Sequence, residues 1–112
     1  MSVSFGGFNE NTATFKTTEE IAKGTAVKMS DSGTVTPCAD GDIFCGIAND
    51  ASGGYVSVQL SGAVTVKFSG AAPEVGYENL VCGSDGVKAD GSGREYLVVA
   101  VNETASTVTF IM

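Results

Sequence analysis

The chain of 112 residues contains no histidine and no tryptophan. Histidine is the commonest general base and metal ligand near neutral pH, so its absence excludes Ser–His and Cys–His catalytic pairs within this chain. A pair of carboxylates could still act on glycosidic bonds, but the acidic residues fall almost wholly in predicted turns. We therefore expect a protein that is not an enzyme.

Basic residues are scarce as well: six lysine and arginine side chains stand against thirteen carboxylates, which gives a formal net charge of −7. The negative charge is spread along the chain without a basic patch, and such a surface repels phosphate backbones. This composition argues against direct nucleic-acid binding. A dispersed negative charge mainly keeps a protein soluble.

Long apolar runs are missing. The longest, Leu97 to Val101, has about five residues, far short of the roughly 20 that span a membrane. The first residues, Met1 to Phe8, carry neither the basic start nor the apolar stretch of a signal peptide. We expect no membrane partner, and a protein that is made in the cytoplasm and leaves it only within a larger assembly.

The three cysteines form an odd set without a CxxC pair, and their spacing matches no usual zinc module. We expect Cys38, Cys45 and Cys82 to be reduced thiols that pack as small apolar side chains. The aspartates around Asp40 and Asp42 lack the EF-hand pattern, and the glycine-rich segments lack the frame of a phosphate-binding loop. We expect no metal and no cofactor.

The chain is rich in three residue types, with fifteen glycines, fourteen valines and eleven threonines. β-Branched residues suit a pleated, half-buried strand, and glycines favour tight turns between strands. No window of ten or more residues has helical periodicity. About nine or ten short strands with frequent turn signals predict an all-β fold, either a small β-barrel or a sandwich.

The clearest period-two pattern runs from residue 55 to residue 68, with apolar side chains at even positions on both sides of Gly62. A two-residue turn at Ser61 and Gly62 would place the two apolar sets on opposite faces, so parity excludes it. Either one strand continues through a bend at Gly62, or a three-residue loop pairs Leu60 with Val64. We favour the bent strand.

Further predictions concern individual strands and their registers. They are a strand from Thr12 to Thr17, inward-facing side chains at Val27 and Met29, a strand from Ile43 to Ala48 followed by a loop to Gly54, and a C-terminal hairpin that pairs Val98 with Phe110 and Ala100 with Val108. Residues 1–11 show no periodicity and predict an extended N-terminal arm. Residues 12–112 then form a single domain.

An internal echo relates the two halves of the chain at an offset of 52 or 53 residues. The segment that starts at Ala48 corresponds to the one that starts at Val101, and the segment from Val56 corresponds to the one from Val108. The echo predicts two pseudo-repeated halves, although turn residues alone would produce part of it by chance.

Glycine and valine spacing recurs in segments spread over residues 12–112, namely Ile21 to Val27, Gly33 to Val35, Phe44 to Ala48, Gly54 to Val58, Gly70 to Gly76, Leu80 to Val87 and Val108 to Phe110. This pattern resembles that of the phage capsid-cement (head decoration) proteins. The resemblance implies a β-barrel or β-tulip-like domain that binds the outer surface of the capsid as a homotrimer, and an N-terminal arm that orders on binding.

If the resemblance holds, the partner is the major capsid protein, and the protein belongs to the surface of the phage head after synthesis in the bacterial cytoplasm. The candidate contacts with the capsid or a neighbouring subunit are the apolar side chains of the arm and of the first strand: Val3, Phe5, Phe8 and Phe15. Two alternatives stay open. One is another phage structural β-domain, from a tail tube or spike, and the other is a β-barrel that binds a small ligand or a carbohydrate.

Overall fold

The computed structural model describes residues 11–84 and 86–112, and within them the chain forms ten β-strands and no helix. In chain order the strands are β1 (Asn11–Lys16), β2 (Ala26–Asp31), β3 (Thr34–Pro37), β4 (Gly46–Ser52), β5 (Tyr55–Ser61), β6 (Ala63–Lys67), β7 (Gly76–Cys82), β8 (Val87–Ala89), β9 (Arg94–Asn102) and β10 (Thr107–Ile111). The prediction of a small all-β fold is confirmed.

The first five strands form a closed barrel in the order β1-β3-β2-β4-β5, and antiparallel pairing of β1 with β5 closes it. Side chains alternate between the inside and the outside, so Val56 and Val58 are buried while Ser57 between them is only partly covered. The barrel interior is a cluster of small apolar side chains: Ile21, Val27, Val35, Ala48, Val56 and Val58.

The last five strands form a sheet in the order β6-β10-β9-β7-β8. This order repeats that of the barrel, because β1, β5, β4, β2 and β3 are neighbours in the same succession as β6, β10, β9, β7 and β8. Each half also has a parallel contact that links its first and third strands. In the first half Lys16 of β1 pairs with Thr34 of β3. In the second half Phe68, directly after β6, pairs with Val87 of β8. The predicted repeat is therefore present in the topology.

Both halves contain a β-bulge at the corresponding point of their fourth strand. The register shifts around Asn49 in β4 and around Val99 in β9, and each strand accommodates one extra residue there. After the bulges, Ala51 pairs with Val56 just as Val101 pairs with Val108. Val101 therefore corresponds to Ala51, and the predicted alignment of Val101 with Ala48 is wrong by three residues.

The bulge in β9 also makes the register of the C-terminal hairpin differ from the predicted one. Val98 pairs with Phe110, as predicted. Ala100 faces Thr109 instead of Val108, because the extra residue at Val99 displaces the rest of the strand by one position.

Gly62 joins the two halves. β5 and β6 lie in different sheets and follow each other through Gly62, whose φ of 95° lies in the left-handed region that favours glycine. The bent continuous strand is confirmed. Gly62 also exchanges two backbone hydrogen bonds with Met112, at 3.4 and 3.0 Å, so the bend is fixed from the side of β10.

Met29 differs from its prediction in burial. It pairs with the buried Val35 and so faces the same side of the sheet, yet it is 46% exposed. β2 continues beyond the barrel into the turn at Ser32 and Gly33, and Met29 lies at that rim. Val27, two residues earlier, is fully buried as predicted.

β4 begins and ends later than predicted. The expected strand from Ile43 to Ala48 is replaced by one from Gly46 to Ser52, and the following loop shrinks to Gly53 and Gly54, both with positive φ. Pairing with β5 extends the strand through polar residues that sequence pattern assigned to a loop.

Residues from both halves share the larger core. Phe44 lies in the segment between β3 and β4, yet it packs with Tyr96 and Phe110 of the second half. The full cluster of buried side chains is Ala26, Phe44, Ile47, Val66, Leu80, Cys82, Val87, Tyr96, Val98, Val108 and Phe110. Three of these come from β2, β4 and the segment before β4, so the first half completes the core of the second.

Candidate interaction surface

The candidate contacts of the arm divide into two groups. Val3, Phe5 and Phe8 lie outside the described residues. Phe15 lies in β1, is partly buried and packs against the interior cluster of the first barrel. Part of the Phe15 ring is therefore covered by its own domain, and only the remainder faces solvent.

Asn11 is the point at which the preceding residues join the barrel. It pairs with Ser61, and its side-chain Nδ2 donates a hydrogen bond of 3.0 Å to the Ser61 hydroxyl. The next residue along that strand, Gly62, is the one bonded to Met112. The root of the arm therefore lies beside the end of β10.

A row of apolar side chains crosses the outer face of the second sheet. Tyr77 pairs with Leu97, Leu97 pairs with Ile111, and Ile111 pairs with Ala63, so the four side chains are neighbours across four strands. Exposure increases along this Tyr77 row: Ala63 is buried, Leu97 and Ile111 are partly buried, and Tyr77 is 72% exposed.

Val75 extends this apolar surface along the chain, since it is 68% exposed two residues before Tyr77. Sequence reasoning missed both residues. The available signal was an apolar pair inside a charged stretch, because Glu74 and Glu78 flank it. The exposure of Val75 and Tyr77 became evident only from the strand pairings, which place Leu97 and Ile111 on the same outer face.

A groove of about 740 Å³ lies at one end of the first barrel, between residues 17–22 and residues 51–55. Its polar groups are exposed: the Thr36 hydroxyl donates to a Glu19 carboxylate oxygen, and the Thr17 hydroxyl accepts from the Glu19 amide at 3.2 Å. Tyr55, 52% exposed, forms part of the wall. Such a groove can offer hydrogen bonds, but no polar side chain among the described residues is buried in its wall.

Two ion pairs hold the turn at residues 39–42. Lys28 Nζ lies 2.6 Å from an Asp42 carboxylate oxygen, and Lys88 Nζ lies 3.0 Å from Asp40. The hydrogen bond with Lys28 holds the pKa of Asp42 below its ordinary value, and the same bond raises the pKa of Lys28. Because Lys28 belongs to β2 and Lys88 to β8, this turn connects the two halves.

The three cysteines are free thiols, as expected. Burial raises the pKa of Cys38 to about 12 and also raises the pKa of Cys45 and of Cys82. Cys45 packs against the interior of the first barrel, whereas Cys38 and Cys82 belong to the shared core. Across residues 11–84 and 86–112, no three cysteine, aspartate or glutamate side chains come together as a metal-ligand set.

Comparisons with models of protein families, with curated proteins and with solved structures gave no match to this chain. In the part of the chain that the structure describes, no helix is long and apolar enough to cross a membrane.

Proposed function

We propose that this protein decorates a phage head: it binds the outer surface of the capsid through its N-terminal arm and stabilises the shell. The proposal starts from the resemblance over residues 12–112. The structural observation that supports it most is the attachment of the arm, since β1 continues from the arm and pairs with β5 from Thr12 to Lys16. Its partner would be the major capsid protein, and its location the virion.

This attachment would transmit force from the arm to the barrel. A pull on residue 10 acts along β1, where it is opposed by the ladder to β5 and by the side-chain bond from Asn11 to Ser61. In an antiparallel ladder pulled along its strands, several hydrogen bonds share the load instead of breaking one by one. A capsid contact made by the arm is therefore transmitted to the whole barrel.

The energy of one arm is modest. Burying Phe5 and Phe8 against the shell would contribute roughly 1.5–3 kcal/mol each before the cost of ordering the segment. Three arms carried by one trimer act together through effective concentration, which can raise avidity by around 10²–10⁴. Trimer formation is therefore part of the proposal.

The Tyr77 row is the surface that we assign to contacts between subunits of this trimer. Its outer end combines an exposed aromatic ring with the exposed Val75, a composition that favours protein interfaces. The row includes Ile111, the last residue of β10, and the arm of each subunit starts beside the end of β10. Association through this surface would bring arms and interface close together.

Deletion of residues 2–10 tests the arm without removing Asn11 from β1. The truncated protein should melt at nearly the same temperature as the full chain and should no longer bind undecorated capsids in a sedimentation assay. Phe5→Ser combined with Phe8→Ser should weaken binding in the same direction, whereas Tyr55→Ser, at an exposed position on the first barrel, should leave it unchanged. Equal capsid binding by the truncated protein would disprove the arm model.

Size-exclusion chromatography with light scattering tests the trimer. We expect three times the monomer mass at micromolar concentration, and a shift to monomer for Tyr77→Ser. Long tubes would instead indicate a tail-tube protein. A thermal shift with sugars or other small molecules would support a ligand-binding barrel with its site in the groove beside Tyr55.

A further inference from the structure

Cys38 and Cys82 are distant in sequence but meet at the junction of the two halves. Cys38 directly follows the last residue of β3, and Cys82 is the last residue of β7. Cys38 packs against the core cluster that contains Cys82, and both side chains line one cavity. The Cys82 thiol donates to the Gly83 carbonyl oxygen at 3.7 Å. The two thiols also change each other's pKa, so their side chains are neighbours.

The backbone holds both cysteines in this position. The Cys38 amide donates to the Ala26 carbonyl at 3.0 Å. Cys82 exchanges two backbone hydrogen bonds of 2.8 Å with Gly41 and Asp42, in the turn that immediately follows Cys38. The ion pairs with Lys28 and Lys88 hold the same turn, so contacts from both halves fix the backbone beside the two cysteines.

A small oxidant can reach the pair. Cys38 and Cys82 both line a cavity of about 500 Å³, whose wall also includes Lys23, Lys67 and Thr107. Burial raises the pKa of both thiols, but the hydrogen bond from Cys38 acts in the opposite direction on Cys82. Cys82 is therefore the sulfur that loses its proton first.

We propose that Cys38 and Cys82 form a site of oxidative modification, at which a peroxide converts the thiol pair into a disulfide that covalently joins the two halves. Cys45, in the other cluster, takes no part. The inference is independent of the capsid proposal, since every measurement below uses the isolated protein.

The reaction balances as follows in atoms and electrons. The Cys82 thiolate attacks one oxygen of hydrogen peroxide, the O–O bond breaks, and the departing hydroxide takes up the proton that Cys82 released, which gives water and a sulfenic acid. The Cys38 sulfur then attacks the Cys82 sulfur, the S–O bond breaks, and the second hydroxide leaves as water with the Cys38 proton. The two thiols lose two electrons and the peroxide gains them.

The test treats the full-length protein with hydrogen peroxide at pH 8 and at pH 9, followed by thiol counting under denaturing conditions and non-reducing peptide mapping. Free thiols should fall from three to one, and the mapped cross-link should join Cys38 to Cys82. The rate should rise about tenfold between the two pH values, because the thiolate is the reactive form and both thiols have raised pKa values. Oxidation should raise the melting temperature on the order of 10 °C, since the disulfide closes a loop of about 45 residues.

Cys45→Ser is the matched control, and it should form the same cross-link with no free thiol remaining. Cys38→Ser and Cys82→Ala should each abolish both the cross-link and the rise in melting temperature, with folding of the reduced variants checked by circular dichroism. If either variant fails to fold, peptide mapping of the wild-type protein and of Cys45→Ser still shows whether Cys38 and Cys82 are cross-linked.

Three results would overturn the proposal: a cross-link that contains Cys45, oxidation of Cys38 or Cys82 to sulfinic acid without a cross-link, or three intact thiols after prolonged treatment at pH 9.

Discussion

Phe44 stacks on Tyr96, with ring centroids 5.4 Å apart and ring planes 13° from parallel, although the two residues belong to different halves of the repeat. Phe110 meets both rings, at 6.1 Å from Phe44 and 5.2 Å from Tyr96. Stacked and edge-on aromatic contacts of this kind contribute beyond the area they bury. The repeat is thus symmetric in topology but not in packing, because one half donates an aromatic side chain to the other.

Replacing Phe44 with alanine should lower the free energy of unfolding by about 3–5 kcal/mol, because the cavity lies among rings that cannot collapse into it. Urea denaturation followed by circular dichroism measures this loss. Tyr55→Ala, at an exposed position on the first barrel, should change stability by less than about 0.5 kcal/mol. A Phe44→Ala variant as stable as Tyr55→Ala would show that the two halves do not depend on a shared core.

Ser106→Gly should stabilise the protein by about 0.5–1 kcal/mol. Ser106 has a φ of 55°, in the left-handed region that disfavours residues with a side chain. Its counterpart in the first half is Gly54, because Phe68 donates to the Ser106 carbonyl at 2.9 Å as Thr17 donates to the Gly54 carbonyl at 3.0 Å.

Gly54→Ser supplies the reciprocal test of this correspondence and should destabilise by about 1 kcal/mol. Chemical denaturation of both variants provides the comparison. The correspondence would be rejected if the two substitutions shifted stability in the same direction.

Gly93→Ala should destabilise the protein by about 1–3 kcal/mol, because a methyl group there would force neighbouring backbone to move. A Cβ atom at Gly93 would lie 2.3 Å from the Leu80 carbonyl oxygen, across the pairing of β7 with β9. Gly91 is two residues away in the same turn and has open space around the corresponding position, so Gly91→Ala should have little effect. Thermal melts of the two variants measure the difference, and equal melting temperatures would contradict the close approach.

Acid should weaken the ion pair between Asp42 and Lys28. The pKa of Asp42 is lowered in the folded protein, chiefly by its hydrogen bond with Lys28, so the unfolded chain binds a proton more readily. The stabilisation is therefore complete above the ordinary value of 3.8 and is lost as pH falls below it. Asp42→Asn keeps an oxygen for the Ala39 amide but loses the ion pair.

Denaturant titrations of wild type and Asp42→Asn from pH 7 to pH 2 measure this effect. The difference in the free energy of unfolding between the two proteins should be constant near neutral pH and should decrease below about pH 4. Lys28→Gln should produce the same pattern, and the double variant should lose no more than either single one if the pair acts as a unit. A difference that persists unchanged at pH 2 would show that the ion pair does not contribute.

Prediction from sequence succeeded where a property depends on residues close in the chain. The alternation from residue 55 to 68 predicted the buried positions Val56, Val58 and Val66, although Leu60 is 38% exposed. The parity on either side of Gly62 identified the bend. The alternation did not predict the bulges at Asn49 and Val99, because a bulge is defined by the pairing with the neighbouring strand.

The candidate surface was less predictable than the fold. The arm stays a prediction for residues 1–10, whereas Asn11, which was assigned to it, lies in β1. The Tyr77 row depends on two strand pairings that bring Tyr77, Leu97 and Ile111 side by side. The cysteines were correctly predicted as free thiols. Their spacing gave no sign that Cys38 and Cys82 line one cavity while Cys45 packs in the first barrel.

The sequence by itself determined an all-β chain with two related halves, since side-chain period, β-branched composition and glycine turns are all local properties. Only the tertiary structure decided that Phe44 leaves its own half to complete the core of the other, and that Cys38 meets Cys82. Spacing along a strand sets which face a side chain takes, but its neighbours across the sheet come from pairings that maximise burial over the whole molecule.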